Sequence, residues 1–258
     1  MIIVSLIVTT VLAIVAVVAT TVLGLGCIIA AMIGVRDRRG SIFDWTPRVW
    51  SKILLAASAV RVILHNPERA GDGQPHIFVS NHMSWFDIPT LASSLPRYKF
   101  VAKAELFRVP VFGPAIAAIG MVPMERQNRK AAFAAYERAA EKIRAGNSVV
   151  VFPEGTRGSD YRIRPFKKGP FVLAIAAGVP IIPVLVHGTR EVMARGAFLV
   201  RPGRVDVHLL EPIATEGLQY GDRDALADTV RARLAEALEK HYGVVSDGTV
   251  VPELAEAD

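Results

Sequence analysis

The chain reads as an α/β protein with a mixed, largely parallel sheet flanked by helices, preceded by an N-terminal membrane-binding helical element. Three observations predict this. Residues 1–35 contain no charged side chain. From residue 76 onward, short apolar runs rich in Val and Ile alternate with longer segments of helical period, the pattern of strands and helices taken in turn. Two of those short runs end in polar motifs, where open α/β sheets place their ligand sites.

The elements follow in order. As one helix, residues 1–35 would extend roughly 52 Å against a hydrocarbon core of about 30 Å, enough to span a bilayer or embed in it. A cleaved signal peptide fits poorly, because a basic leading region is lacking and the apolar run is too long. Arg36, Arg38 and Arg39 follow at once and place this flank in the cytoplasm, with the N-terminus outside. Residues 47–65 form a second apolar stretch with Pro47 in its first turn. Trp50, Ile53, Leu54, Ala57, Val60 and Leu64 recur there at helical spacing, while Lys52 and Arg61 oppose a full span. We therefore assign 36–66 to a cytoplasmic flank and an amphipathic interfacial helix, 67–243 to the α/β domain and 244–258 to a flexible tail. Within the domain, strands are expected at 76–80, 148–152, 181–186 and 205–210. Helices are expected at 129–145, with Phe133, Tyr136, Ala140 and Ile143 on one face, at 168–177, and around Leu226, Val230, Leu234 and Leu238.

The formal net charge of +6 suits an anionic membrane or a phosphate-bearing substrate. Zinc-finger, leucine-zipper and aromatic RNA-binding patterns are all missing, so no nucleic-acid partner is expected. The single cysteine, Cys27, forbids an intrachain disulfide and reads as a packed thiol. A G-x-S-x-G elbow and a Walker motif are missing as well, which disfavours hydrolase and nucleotide chemistry, and no ligand spacing suggests a metal.

Four motifs carry the chemistry. Ser80-Asn81-His82-Met83-Ser84-Trp85-Phe86-Asp87 supplies a general base, His82, and a carboxylate, Asp87. With a helix starting near Ser84, Asp87 lies about one turn in and points back to fix the imidazole tautomer, as in the His–carboxylate half of a serine triad. Val151-Phe152-Pro153-Glu154-Gly155-Thr156-Arg157 supplies an anion site: Gly155 lets the backbone approach a ligand and Arg157 can grip a phosphate with two bonds. Gly120-Met121-Val122-Pro123-Met124-Glu125-Arg126 brings a further cation, Arg126. Val179-Pro180-Ile181-Ile182-Pro183-Val184 has no titratable group and reads as a strand bracketed by prolines. Lys103 is another candidate phosphate contact. Arg162, Arg164, Lys167 and Lys168 form a basic cluster suited to headgroups or an acidic carrier, or simply to solvent.

These motifs, in this order across residues 76–190, resemble the glycerolipid acyltransferases, and among them the 1-acyl-glycerol-3-phosphate acyltransferases. The resemblance implies a membrane-bound O-acyltransferase of phospholipid synthesis. It would move an acyl chain from acyl-CoA or acyl carrier protein to the sn-2 hydroxyl of 1-acyl-glycerol-3-phosphate, giving phosphatidic acid. No cofactor beyond the acyl donor is implied. The partners implied are membrane lipid, a lysophospholipid acceptor and the donor, with the catalytic domain on the cytoplasmic side of the cell membrane. His82 and Asp87 are the implied catalytic pair. Arg126, Glu154, Gly155, Thr156, Arg157 and Lys103 are the implied substrate-binding set, and the Val179–Val184 strand is expected to line the acyl channel. Two alternatives stay open: the same chemistry on another lyso-lipid or a glycolipid hydroxyl, and a non-catalytic, membrane-tethered lipid-binding protein.

Overall fold

The computed structural model describes residues 2–71, 73–125 and 129–246. Helix α1 (Ile2–Met32) is followed by α2 (Ile42–Ala57), and β1 (Val60–His65) opens the sheet. The chain then runs through β2 (Ile77–Ser80), α3 (Asp87–Ser94), β3 (Tyr98–Lys103), α4 (Phe112–Ala118), β4 (Val122–Met124), α5 (Arg129–Arg144) and β5 (Ser148–Val151). It closes with α6 (Gly169–Ala177), β6 (Ile181–His187), α7 (Thr189–Val192), β7 (Gly203–Leu209) and α8 (Arg223–Tyr242). The seven strands order as β1-β7-β6-β2-β5-β3-β4, and every neighbouring pair is parallel except β6 with β7.

The centre of the sheet explains itself from composition. Every residue of β2 and of β5 is buried, and successive side chains enter opposite layers. Ile77 and Val79 pack with Val149, Phe171, Leu226 and Leu234 under α5, α6 and α8. Phe78 and Val150 pack with Leu54, Phe86 and Leu91 under α2 and α3. The expected strands and helices of the domain appear at these places, with β5 ending one residue early at Val151 and the last helix reaching from Arg223 to Tyr242.

Residues 47–65 differ from expectation. They are not one helix: α2 begins at Ile42, so Pro47 lies inside it, and the helix stops at Ala57. Ala59 takes a positive φ of 51° and turns the chain into β1, which pairs with β7 from Val60↔Gly203 to His65↔His208. The apolar positions that mimicked helical spacing belong to two elements. The folded domain therefore starts at β1, before the expected boundary at 67. At the other end, residues 244–246 are docked: Val244 packs on the core and the Ser246 hydroxyl accepts the Ile163 amide at 3.0 Å. The remainder of the expected tail, 247–258, lies outside the described residues.

Helix α1 is long and apolar enough to cross a membrane by length and composition. Yet it lies along the domain. Ser5, Leu12, Ala19, Gly24, Cys27 and Ala30 form a buried stripe that runs nearly its full length, while Leu6, Ile14, Val17, Val22 and Ile29 on the other faces are exposed. The Trp50 indole donates to the Thr20 hydroxyl at 2.9 Å, tying α2 to α1. At Gly24 a Cβ would come within 3.2 Å of both Ala115 and Val111, so glycine permits the close approach of α1 to α4.

Candidate active site

β2 and β5 are parallel neighbours in register Val79↔Val151, so the loops that follow them leave the sheet at the same edge. The Asn81 side chain continues the ladder: its amide nitrogen donates to the Val186 carbonyl at 2.9 Å, and its oxygen accepts the Val186 amide at 2.8 Å. This fixes the backbone one residue before His82. The His82 carbonyl accepts the Gly158 amide at 2.7 Å, and the His82 amide donates to Glu154 Oε1 at 3.1 Å. The two motif loops are thus clamped together at His82.

Asp87 is the first residue of α3, not a residue one turn in. Its carboxylate is completely buried and accepts four bonds. Oδ2 accepts from His82 Nδ1 at 2.7 Å, the Met83 amide at 2.7 Å and the Ser84 amide at 2.9 Å; Oδ1 accepts from the Thr189 hydroxyl at 2.5 Å. The four-residue spacer is a turn whose amides close onto the carboxylate, and that is why this spacing is required. With Nδ1–H donated to a carboxylate, Nε2 carries the basic lone pair. The His82 ring stacks on Phe152 at 4.0 Å between centroids, and His82 lies on the wall of a cavity.

That cavity holds about 470 Å³. His82, Thr156, Arg157 and Lys103 are its polar residues near the motif loops, and much of the rest is apolar, including Tyr98, Phe100, Ile119 and Met121. Part of the wall comes from the N-terminal helices, through Leu23 and Gly24 of α1 and Pro47 and Trp50 of α2. The expected strand 179–184 does not line it. Ile181, Ile182 and Val184 are fully buried inside the sheet instead.

The structure separates the proposed binding residues. Thr156 and Arg157 reach the cavity, and the Arg157 guanidinium has no carboxylate partner among the described residues. Lys103 also lines the cavity and pairs with Glu105 at 3.1 Å, both half exposed. Glu154 turns away toward the His82 backbone. Its Oε2 is buried without a hydrogen-bond partner, and burial pushes its carboxyl up to about 7. Gly155 holds φ 73°, a backbone conformation that residues with a Cβ rarely adopt, so the turn favours glycine there. Arg126 lies outside the described residues.

Two features were not readable beforehand. Thr189, one residue past the glycine that ends β6, completes the shell around Asp87; its only signal in the chain is its place just after the fourth motif's strand. His65, Asp206 and His208 bring two imidazoles and a carboxylate within 4.8 Å of one another, although no spacing suggested such a cluster. Its groups already have partners: Asp206 accepts from Arg204 at 2.8 and 2.9 Å and pairs with His65 at 2.7 Å, and His208 pairs with the Tyr242 hydroxyl at 2.7 Å. His187 stacks between Tyr161 and Tyr242, and burial pushes its imidazole down.

A family model described as Acyltransferase matches residues 61–187. The chain is 39% identical over 166 residues to a chloroplastic 1-acyl-sn-glycerol-3-phosphate acyltransferase of Brassica napus, covering 64% of this chain and 46% of that one. It is 34% identical over 191 residues to the 1-acyl-sn-glycerol-3-phosphate acyltransferase beta of Homo sapiens, covering 73% and 67%. The crystal structure of the 1-acyl-sn-glycerophosphate acyltransferase PlsC from Thermotoga maritima superposes with a TM-score of 0.79 at 26% identity, covering 94% of this chain and 98% of that one. The chain spans about half the length of the plant relatives it matches.

Proposed function

The chain belongs to the acyltransferase family, and from that premise we propose that it acylates the sn-2 hydroxyl of 1-acyl-glycerol-3-phosphate to give phosphatidic acid. The observation that carries this reading is the His82–Asp87 bond of 2.7 Å at a cavity that is polar around Arg157 and apolar beyond. Nε2 of His82 takes the proton of the acceptor hydroxyl as its oxygen attacks the thioester carbonyl. The tetrahedral intermediate collapses, the thiolate leaves, and the imidazolium returns the proton to it. Asp87 stabilises the imidazolium without accepting the proton. Arg157, with Lys103 and Arg126 as further cations, holds the acceptor phosphate. Glu154 braces the His82 backbone. The apolar cavity takes an acyl chain, and the donor is acyl-CoA or acyl carrier protein.

The buried stripe of α1 favours a helix lying in one leaflet over one that crosses, because a crossing would carry the packed domain into the bilayer with it. The outer face of α1 then meets acyl tails, and the arginines after α1 suit the anionic headgroups of the cytoplasmic leaflet of the cell membrane. The test is purified full-length protein with acyl-CoA or acyl carrier protein and a panel of acceptors. Phosphatidic acid from lysophosphatidic acid is the expected product. A preference for a lyso-lipid without phosphate would install the alternative acceptor, and no transfer to any acceptor would leave a lipid-binding protein.

A further inference from the structure

Between α7 and β7 the chain makes a loop closed by the Arg201 amide donating to the Val192 carbonyl at 2.9 Å. Its tip carries Phe198, 88% exposed, beside the exposed Leu199, Arg195 and Arg201. A phenyl ring held in water gains free energy when something covers it.

The neighbours of the loop say what does. Val200, 2% exposed, packs in the same layer as Leu12 of α1, and its amide donates to the Thr9 hydroxyl at 2.9 Å. Phe198 thus stands two residues from a fixed contact with α1. The stretch of α1 around that contact presents Leu6, Ile7, Val11 and Ile14 outward. The other side of the loop holds the active site: the Met193 carbonyl accepts the Ser84 hydroxyl at 2.6 Å, and Arg195 Nη1 donates to the Arg157 carbonyl at 3.0 Å. The charge at the tip is basic. Glu191, the acidic group beside it, is engaged by the Tyr161 hydroxyl.

We propose that residues 194–201 form a second bilayer contact, in which Phe198 enters the headgroup–acyl boundary of an anionic membrane and Arg195 and Arg201 take lipid phosphates. An aromatic ring flanked by arginines, continuous with an outward apolar helix face, is the composition of an interfacial anchor. The contact pins the Arg157 loop to the plane in which a lysolipid lies. This rests on the reading that α1 is embedded in the membrane.

The experiment labels single cysteines in the full-length protein with an environment-sensitive dye, in vesicles of phosphatidylcholine and phosphatidylglycerol containing spin-labelled lipid. Cys27, the native cysteine, is fully buried. Phe198→Cys is compared with Val22→Cys on the outer face of α1 and with Tyr220→Cys, 64% exposed, on the turn before α8 at the opposite layer. The proposal expects quenching at 198 at least several-fold above that at 220, growing with the anionic fraction. Quenching at 22 but not at 198 overturns this loop contact and leaves the membrane reading standing. Dye at 22 and 198 both remaining solvent-like removes the membrane reading and this proposal together. Dye at 198 shielded only when acyl carrier protein is added overturns the lipid assignment in favour of a protein partner.

Discussion

The Thr189 hydroxyl and the Asp87 carboxylate meet at 2.5 Å across 102 residues of chain, joining the end of β6 to the start of α3. Through that bond the strand carrying the fourth motif holds the acid that holds His82. A hydrogen bond to a buried carboxylate is worth about 1.5–3 kcal/mol. Thr189→Val should therefore lower kcat by roughly ten-fold or more with the fold intact, and Thr189→Ser should restore most of it. Equal rates for Val and Ser variants, measured beside circular dichroism, would show that the hydroxyl does not position the pair.

His82→Ala should lower turnover by roughly 10²–10⁴-fold, the usual worth of a general base. Asp87→Asn should also impair it, because the amide presents the wrong partner to Nδ1. Steady-state assays on folded protein decide, and near-normal turnover in His82→Ala would remove the mechanism.

Glu154 links the site to stability. Burial raises its carboxyl from 4.5 to about 7 in the folded protein. The native state then binds a proton that the unfolded chain has lost between those values. Its contribution is complete below pH 4.5, falls as pH rises through 7, and amounts to on the order of 3 kcal/mol. Gln keeps an acceptor for the His82 amide and carries no charge, so Glu154→Gln should flatten this part of the Tm–pH curve. The same slope in both proteins would place the titration elsewhere.

Arg157→Lys keeps the charge and loses the paired donors. It should raise KM for a phosphate-bearing acceptor by about ten-fold, and Arg157→Ala should raise it further, with the donor KM nearly constant. An unchanged acceptor KM in both would reassign the phosphate.

Gly24→Leu should push α1 off α4, since even a Cβ there sits 3.2 Å from Ala115 and Val111. Overpacking of this kind costs about 1–3 kcal/mol. Activity should fall several-fold while the protein stays in the salt-washed membrane fraction. Val22→Leu, on the exposed face, should change neither.

The central strands were legible because β2 and β5 are buried on both faces and each ends in a motif, and their parallel pairing brings those motifs to one edge. The β1 strand was not, since Val60 and Leu64 prolong the helical spacing of α2 and the break depends on the backbone of Ala59. Asp87 was legible as a partner of His82, but its place at the helix start was not, because the turn forms around the carboxylate. Thr189 was out of reach: its role exists only once β6 lies beside β2. Glu154 showed itself as part of a motif, but its direction, toward a backbone amide instead of the cavity, is a property of the turn at Gly155.

Because Leu23 and Gly24 wall the cavity while Val22 and Leu25 face outward, the cavity wall and the exposed apolar face are written on alternate sides of one helix. Cutting away α1 would not release a water-soluble catalytic core. It would strip the roof from the cavity, leave the Trp50 indole without its Thr20 partner and bare the apolar layer around Leu54 and Leu55. Truncation here dismantles the cavity, so a preparation that keeps the cavity has to keep the exposed apolar face of α1 as well.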